Sequence, residues 1–200
     1  MKISNHVLHG ENDEVSFVKS PNYSLGFSPI YLIIHYTAGT TASGAVSWFK
    51  NKDSQASSHL IIDRDGSIVQ MVPFNRRAWH AGKSKWGNLE NMNQYSISIE
   101  LVNAGKLRKN FSGQWVNWSN TVITSAEVTV AQHKDESAEA GWHEYTEAQL
   151  ETVTKVSMVL HKTYKFTDIL GHDDVSPGRK IDPGPLFPLS SLRSLALGRL

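Results

Sequence analysis

The chain has 200 residues, 40% hydrophobic and 20% charged, which is ordinary for one globular domain with a substantial core. The formal net charge is +1, so no overall charge favours nucleic acid or an acidic membrane as a partner. The sequence has no cysteine, which excludes disulfides, thiolate zinc sites and a cysteine nucleophile. A zinc site would therefore have to use histidine and carboxylate ligands.

Residues 1–29 lack a periodic pattern and are punctuated by Pro21, Gly26 and Pro29, so we interpret them as an irregular arm that packs across the domain. The first residues, MKISNHVLHGENDE, turn polar at once and contain no apolar segment typical of a signal peptide. No apolar run approaches the length of a membrane span. These features predict a cytoplasmic protein without a membrane span.

The run IYLIIHY at 30–36 is continuously apolar, β-branched and aromatic, which predicts a central strand buried on both faces. His35 ends this strand, where it either faces a cleft or is a satisfied core histidine. Ser43 is a candidate cap for a helix that contains Trp48. The runs SSHLIID and SIVQMVP flank the turn RDG and predict a β-hairpin, with His59 near the start of its first strand.

The segment FNRRAWHAG at 74–82 concentrates Arg77, Trp79 and His80 in a predicted loop. Arginine suits a carboxylate partner through its two-pronged guanidinium group, so this loop could line a pocket. The alternative is a solvated charge pair beside a packed tryptophan.

The run YSISIELV at 95–102 alternates cleanly and predicts a strand, with Ser96, Ser98 and Glu100 on one face. Glu100 is the one ionisable side chain in a strand that is otherwise free of charge. A carboxylate in such a place is either paired in a salt bridge or functional.

Residues 104–143 show no clear period, and so long an irregular segment is often functional. We interpret this segment as an insertion near the site, with short strands possible at WVNW and EVTVAQH. Its aromatic and imidazole side chains are Trp115, Trp118, Trp142, His133 and His143. For the two histidines we expect packing or surface positions rather than metal ligation.

Thr146 and Gln149 form a capping-box pattern, which predicts a helix over 147–164. A second, shorter helix is predicted over 188–197. No internal repeat or low-complexity tract is present, so one domain over 1–200 is the simplest interpretation.

The segment GHDDVSPGRKIDPGP at 171–185 is rich in Gly and Pro, which predicts a loop. One interpretation is a polar surface turn without a functional site. His172 and Asp182, together with His35, would nevertheless supply two imidazoles and a carboxylate, the ligands of a catalytic zinc site with one open position. No compact ligand motif such as HExxH is present, so spacing alone leaves the question open.

Two further residues complete a possible reaction centre. Glu100 could take a proton from a reacting water and pass it to a leaving nitrogen. Lys180 lies two residues before Asp182 and could stabilise a developing oxyanion. With a zinc ion, these groups would suit metal-assisted hydrolysis of an amide.

Five motifs carry a family resemblance: LIIHYTAG at 32–39, SSHLIIDRDGSIVQMVP at 57–73, RAWHAG at 77–82, YSISIELVN at 95–103 and GHDDVSPGRKIDPGP at 171–185. Together they resemble the zinc-dependent N-acetylmuramoyl-L-alanine amidases of the type-2 amidase family, which includes AmpD-like enzymes, a phage lysozyme and the peptidoglycan recognition proteins. The resemblance implies a mixed α/β fold with a central mixed β-sheet flanked by helices. It also implies hydrolysis of the amide between the lactyl group of N-acetylmuramic acid and L-alanine of the stem peptide.

The resemblance assigns roles to residues of this sequence. One zinc ion per chain would be bound by His35, His172 and Asp182. Glu100 and Lys180 match catalytic positions. Substrate contact or support of the site is implied for four residues, Arg77, Trp79, His80 and His59. Ser58 stands where the phage lysozyme has a catalytic tyrosine, which implies a larger catalytic role for Glu100.

The partner implied is peptidoglycan or a muropeptide, bound by a monomer without nucleic acid. Delivery of a cytoplasmically made protein to the cell wall by a phage or secretion-system route stays open. The alternative function is a non-catalytic peptidoglycan-binding module, as some recognition proteins are. Such modules typically lose a zinc ligand, whereas all three are present here.

Overall fold

The computed structural model describes residues 1–10 and 14–199, so residues 11–13 of the predicted N-terminal arm lie outside it. The strands are β1 Lys2–Ser4, β2 Val7–His9, β3 Val15–Phe17, β4 Tyr23–Ser24, β5 Tyr31–Tyr36, β6 Leu60–Ile62, β7 Ile68–Gln70, β8 Arg77–Ala78, β9 Lys85–Trp86, β10 Leu89–Glu90, β11 Ser96–Leu101, β12 Lys106–Lys109, β13 Trp115–Val116, β14 Val128–Gln132, β15 Glu139–His143 and β16 Asp168–Gly171. The α-helices are α1 Ala42–Lys50, α2 Glu147–Tyr164, α3 His172–Val175 and α4 Leu189–Leu197.

The central sheet has six strands in the order β16-β5-β11-β6-β7-β3. Each neighbouring pair from β16 to β6 is parallel, whereas β7 is antiparallel to β6. The predicted mixed sheet with flanking helices is therefore confirmed. The carboxyl ends of β16, β5, β11 and β6 share one edge of the sheet, which is where α/β folds place their ligands.

The two faces of the sheet have different chemistry because side chains alternate along each strand. On one face, Ile97 and Ile99 of β11 join the main core with Val156 of α2. On the other face, the same strand presents Ser98 and Glu100, as its alternating sequence predicts. All six residues of β11 are buried, so its polar face is enclosed within the protein.

Local signals set the helix boundaries. The helix α2 has the bounds predicted from sequence, and both hydrogen bonds of the Thr146–Gln149 capping box are present. The predicted cap of α1 was wrong: Thr41, rather than Ser43, accepts a hydrogen bond from the backbone N–H of Gly44. Ser43 lies inside the first turn, because the helix begins two residues earlier than its sequence suggested.

The segment 171–185 is not a loop throughout, because α3 forms a short helical turn at its start. This turn is possible because the glycines and prolines stand outside it, at Gly171 and from Pro177 onward. The side chain of Asp174 accepts a hydrogen bond from the backbone N–H of Gly171 and closes the first turn. The turn carries His172 out from the end of β16.

Residues 104–143 are more regular than their sequence suggested, because they form a separate antiparallel sheet in the order β13-β12-β15-β14. The two predicted short strands are β13 and β14. Gly105, with φ of +69°, allows the ring of Tyr36 to pack where a β-carbon would lie only 2.4 Å from it.

The N-terminal arm contributes β3 to the edge of the central sheet. None of the helices in the described ranges has the length and apolarity needed to cross a bilayer.

Candidate active site

Three side chains from separate parts of the chain meet at the carboxyl edge of the central sheet. His35 comes from β5, His172 from the first position of α3, and Asp182 from the segment that returns past α3. The Nδ1 atoms of the two histidines are 3.0 Å apart, and Oδ2 of Asp182 lies 3.0 Å and 2.9 Å from them. All three residues are buried. The structure thus brings together the three predicted ligands.

Hydrogen bonds on the far side of each imidazole fix where its proton lies. Nε2 of His172 donates to the carbonyl oxygen of Ala81 at 3.2 Å. Nε2 of His80 faces the carbonyl oxygen of Ser96 at 3.4 Å and donates to it, so Nδ1 of His80 accepts from Nε2 of His35 at 2.9 Å. Both ligand histidines therefore hold their proton on Nε2 and direct an unprotonated Nδ1 at Asp182.

This donor set fits a metal ion. Three lone pairs that face one another at about 3 Å repel, and a cation among them removes the repulsion. Tetrahedral ligands at about 2.0–2.1 Å from zinc are roughly 3.3–3.4 Å apart, so an adjustment of a few tenths of an ångström suffices. Two imidazoles and one carboxylate also leave a fourth position open, which is typical of catalytic zinc.

The charges of the three residues agree with metal binding. Burial, aided by the neighbouring His172, lowers the pKa of His35 to about 4, which keeps the imidazole neutral at pH 7. Burial alone would raise the pKa of Asp182, but the adjacent imidazoles of His172 and His35 hold it below its usual value. Neutral imidazoles and an ionised carboxylate are the forms that bind a divalent cation.

Glu100 lies beside His35, because β11 and β5 pair these two residues in parallel register. Its Oε2 atom is buried and has no hydrogen-bond partner among the described residues. Burial, with a smaller effect of Asp182, raises the pKa of Glu100 to about 8, and Lys180 opposes that rise. A carboxyl group with a near-neutral pKa is suited to accepting and returning a proton.

A cavity of about 700 Å³ opens onto these groups. Its walls include the three candidate ligands and Glu100, and the side chain of Lys180 also reaches it. Trp79 and His80 line the cavity, as expected for residues near the substrate. The guanidinium of Arg179 donates to the carbonyl oxygens of Ala81 and Lys83.

Two residues predicted near the substrate do not line this cavity. His59 is buried completely, with Nδ1 bonded to Ser98 and Nε2 bonded to the carbonyl oxygen of Arg76. Those bonds suit support of the site and leave no surface for direct substrate contact. Arg77 lies in β8, also away from the cavity. Ser58 is also fully buried, so its hydroxyl is not positioned to act on a substrate.

Sequence reasoning missed two features around the cavity. Trp48 and Trp118 line it although they are distant in sequence; residues 104–143 were expected near the site, but neither tryptophan was assigned to the cavity. The second feature is a buried pair in which Nε2 of His133 lies 3.0 Å from Oδ2 of Asp173. This pair connects the end of β14, in the antiparallel sheet of residues 104–143, to the residue next to His172.

Comparisons with known proteins agree with this geometry. Residues 26–185 match the Amidase_2 family, described as N-acetylmuramoyl-L-alanine amidase. The chain is 33% identical over 143 residues to the 1,6-anhydro-N-acetylmuramyl-L-alanine amidase AmpD of Escherichia coli, an alignment that covers 70% of this chain and 58% of that protein. It is 28% identical over 181 residues to N-acetylmuramoyl-L-alanine amidase A of Achromobacter lyticus, which covers 90% of each.

Among solved structures, the fold is similar to a selenomethionine derivative of AmpD, with a TM-score of 0.69 and 26% identity. That superposition covers 98% of this chain and 99% of the other. The match to the family sequence covers most of the chain, including all three candidate ligands, Glu100 and Lys180. The chain therefore belongs to the N-acetylmuramoyl-L-alanine amidase family.

Proposed function

We propose that the protein is a zinc-dependent amidase that cleaves the bond between the lactyl group of N-acetylmuramic acid and L-alanine of the stem peptide. The observation that carries this proposal is the juxtaposition of three unprotonated ligand atoms with the unpartnered carboxyl of Glu100 in one cavity. The name of the E. coli relative, which specifies an anhydro-muramyl substrate, supports a muropeptide as the substrate class.

One zinc ion would be held by His35, His172 and Asp182. When bound, it supplies a Lewis acid that polarises the amide carbonyl and makes a water more acidic. Nε2–H of His35, bonded to His80, and Nε2–H of His172, bonded to Ala81, keep both ligand rings in the required orientation.

The chain's own residues then move the protons. Glu100 accepts a proton from the attacking water as the water oxygen bonds to the carbonyl carbon. Lys180 stabilises the negative charge that develops on the carbonyl oxygen. When the carbon–nitrogen bond breaks, Glu100 returns its proton to the leaving amine, so the products are a lactyl carboxylate and a free stem peptide. Glu100 therefore ends the cycle in the state in which it began it.

The second candidate is a peptidoglycan-binding module without activity. Retention of the full ligand set favours the enzyme, because binding alone needs neither a metal nor an unpartnered buried carboxyl. Such a carboxyl costs free energy to ionise, and a purely binding site gains nothing from it.

The test is to incubate zinc-loaded protein with a soluble anhydro-muramyl tripeptide and, separately, with purified sacculi. Release of free stem peptide from either substrate is the expected result, and comparison of the two rates identifies the preferred form. A purified native protein that contains no metal and releases no peptide from either substrate would refute the proposal.

A further inference from the structure

Two tryptophans on the cavity wall are unusually exposed. Trp118, in the turn after β13, is 75% exposed and Trp48 of α1 is 56% exposed, yet both line the cavity that contains the candidate zinc ligands. A tryptophan exposed to solvent forgoes the burial that its large apolar surface would otherwise gain. Two of them at the mouth of one cavity are typical of a surface that is covered when a ligand binds.

Trp118 is held in place rather than free. Its indole N–H donates to the carbonyl oxygen of Ala38 at 2.8 Å. Ala38 follows β5 and lies three residues after His35, so this bond ties the turn after β13 to the loop beside the candidate metal site. The bond uses the edge of the ring and leaves most of the indole surface exposed. A rigid aromatic surface loses little entropy when a ligand packs on it.

The lining residues that come from α1 and from the loop before it are uncharged. Those between 37 and 49 include neither an acid nor a Lys, Arg or His, but they include the hydroxyls of Thr37, Thr40 and Thr41. The cations of the cavity come from the segment 171–185. The walls thus offer an uncharged aromatic and hydroxyl region, and separately a cationic region.

We propose that Trp48, Trp118 and residues 37–41 form a glycan subsite, on which the indoles stack against uncharged pyranose rings. A pyranose has apolar C–H faces that pack on an aromatic ring, and equatorial hydroxyls that bond to threonine. The acidic stem peptide is matched instead by the cationic segment. The subsite rests on the proposed function, because the scissile amide joins sugar to peptide. What it adds is the place where the sugar portion binds, on the wall formed by Trp48, Trp118 and residues 37–41.

The test compares two substrates that share the scissile bond. One is N-acetylglucosaminyl-anhydro-N-acetylmuramyl tripeptide, and the other is D-lactoyl-L-alanyl-γ-D-glutamyl-L-lysine, which lacks the sugars. For Trp118→Ala and for Trp48→Ala, we expect kcat/KM on the first substrate to fall about tenfold more than on the second, mainly through KM. Phe111→Ala is the matched control, because Phe111 is a fully exposed aromatic of the same insertion but does not line the cavity.

Equal losses on the two substrates, or an equal selective loss in Phe111→Ala, would overturn the subsite. Trp118→Phe keeps an aromatic face without the bond to Ala38, so it guards against misfolding of the alanine variant and should retain part of the selectivity. Failure of the amidase proposal is separable from failure of the subsite. If zinc-loaded wild-type protein cleaves neither substrate, calorimetry measures whether it binds uncharged chitotetraose. Binding by the wild type that is lost in Trp118→Ala would still support the subsite. No binding by the wild type would refute it.

Discussion

Replacing Glu100 by Gln separates the chemistry of the site from its assembly. Gln has the same shape but cannot accept the proton of an attacking water, so we expect the rate of amide hydrolysis to fall by about 10²–10⁴-fold. Zinc should remain bound, because Glu100 is not one of the three convergent ligands. A variant that keeps its zinc and its full turnover would refute the role of Glu100 as base.

The same substitution has a stability effect that follows from the pKa of about 8. Below pH 4.5 the carboxyl is protonated in both the folded and unfolded chain, so the wild type bears no penalty there. Between pH 4.5 and 8 the unfolded chain releases the proton while the folded metal-free chain keeps it, so stability falls as pH rises. Gln has no such titration. As the pH rises from 5 to 7.5, the free energy of unfolding of metal-free Glu100→Gln should therefore increase by about 3 kcal/mol relative to that of the wild type.

Urea unfolding of chelator-treated protein at several pH values measures this difference directly. The two proteins differ only at residue 100, so the pH dependence of the difference reports on the Glu100 carboxyl and its coupling to Asp182 and Lys180. Glu90→Gln is the matched control, because Glu90 is an exposed carboxylate and the unfolded chain loses the same charge in both variants. A difference between Glu100→Gln and wild type that stays constant with pH would show that the Glu100 carboxyl is not desolvated.

Three other substitutions test the metal site and its surroundings. His172→Ala should reduce bound zinc from one per chain to nearly none by elemental analysis after dialysis, whereas His9→Ala, at an exposed histidine, should not. Lys180→Ala should keep zinc and lower kcat more than it raises KM, and an effect confined to KM would reassign Lys180 to binding. His80→Phe removes the acceptor for Nε2–H of His35 and should weaken zinc binding by about 10–100-fold in a chelator competition, whereas unchanged affinity would show that His80 does not orient the ligand.

Elements with strong local signals were predicted well. The helix α2 has the bounds that its Thr146–Gln149 capping box indicated. The alternation of β11 placed Glu100 on the polar face, and the apolar run of β5 placed His35 at its end. These successes share a cause: the periodicity of a strand and the chemistry of a helix cap depend on residues a few positions apart.

Features made by distant residues could not be predicted in the same way. The bond between Trp118 and Ala38 joins residues 80 positions apart, and no periodicity marks either partner. The antiparallel sheet of residues 104–143 looked irregular in sequence because its strands are short and include exposed apolar residues such as Val130. His80 was expected near the substrate, but its bond to His35 depends on how two separate elements approach.

The antiparallel sheet of residues 104–143 makes, among its contacts with the candidate site, two that have different physical consequences. Through Trp118 it adds an exposed wall to the cavity, and that contact can change without altering the ligands. Through His133 it bonds to buried Asp173, which adjoins His172 in α3, so a change there would also move a ligand. Removing one partner of a buried pair destabilises a protein more than removing an exposed contact does. Substitutions that alter substrate preference should consequently be tolerated at Trp118 and its neighbours, whereas a substitution of His133 or Asp173 alone should destabilise the fold.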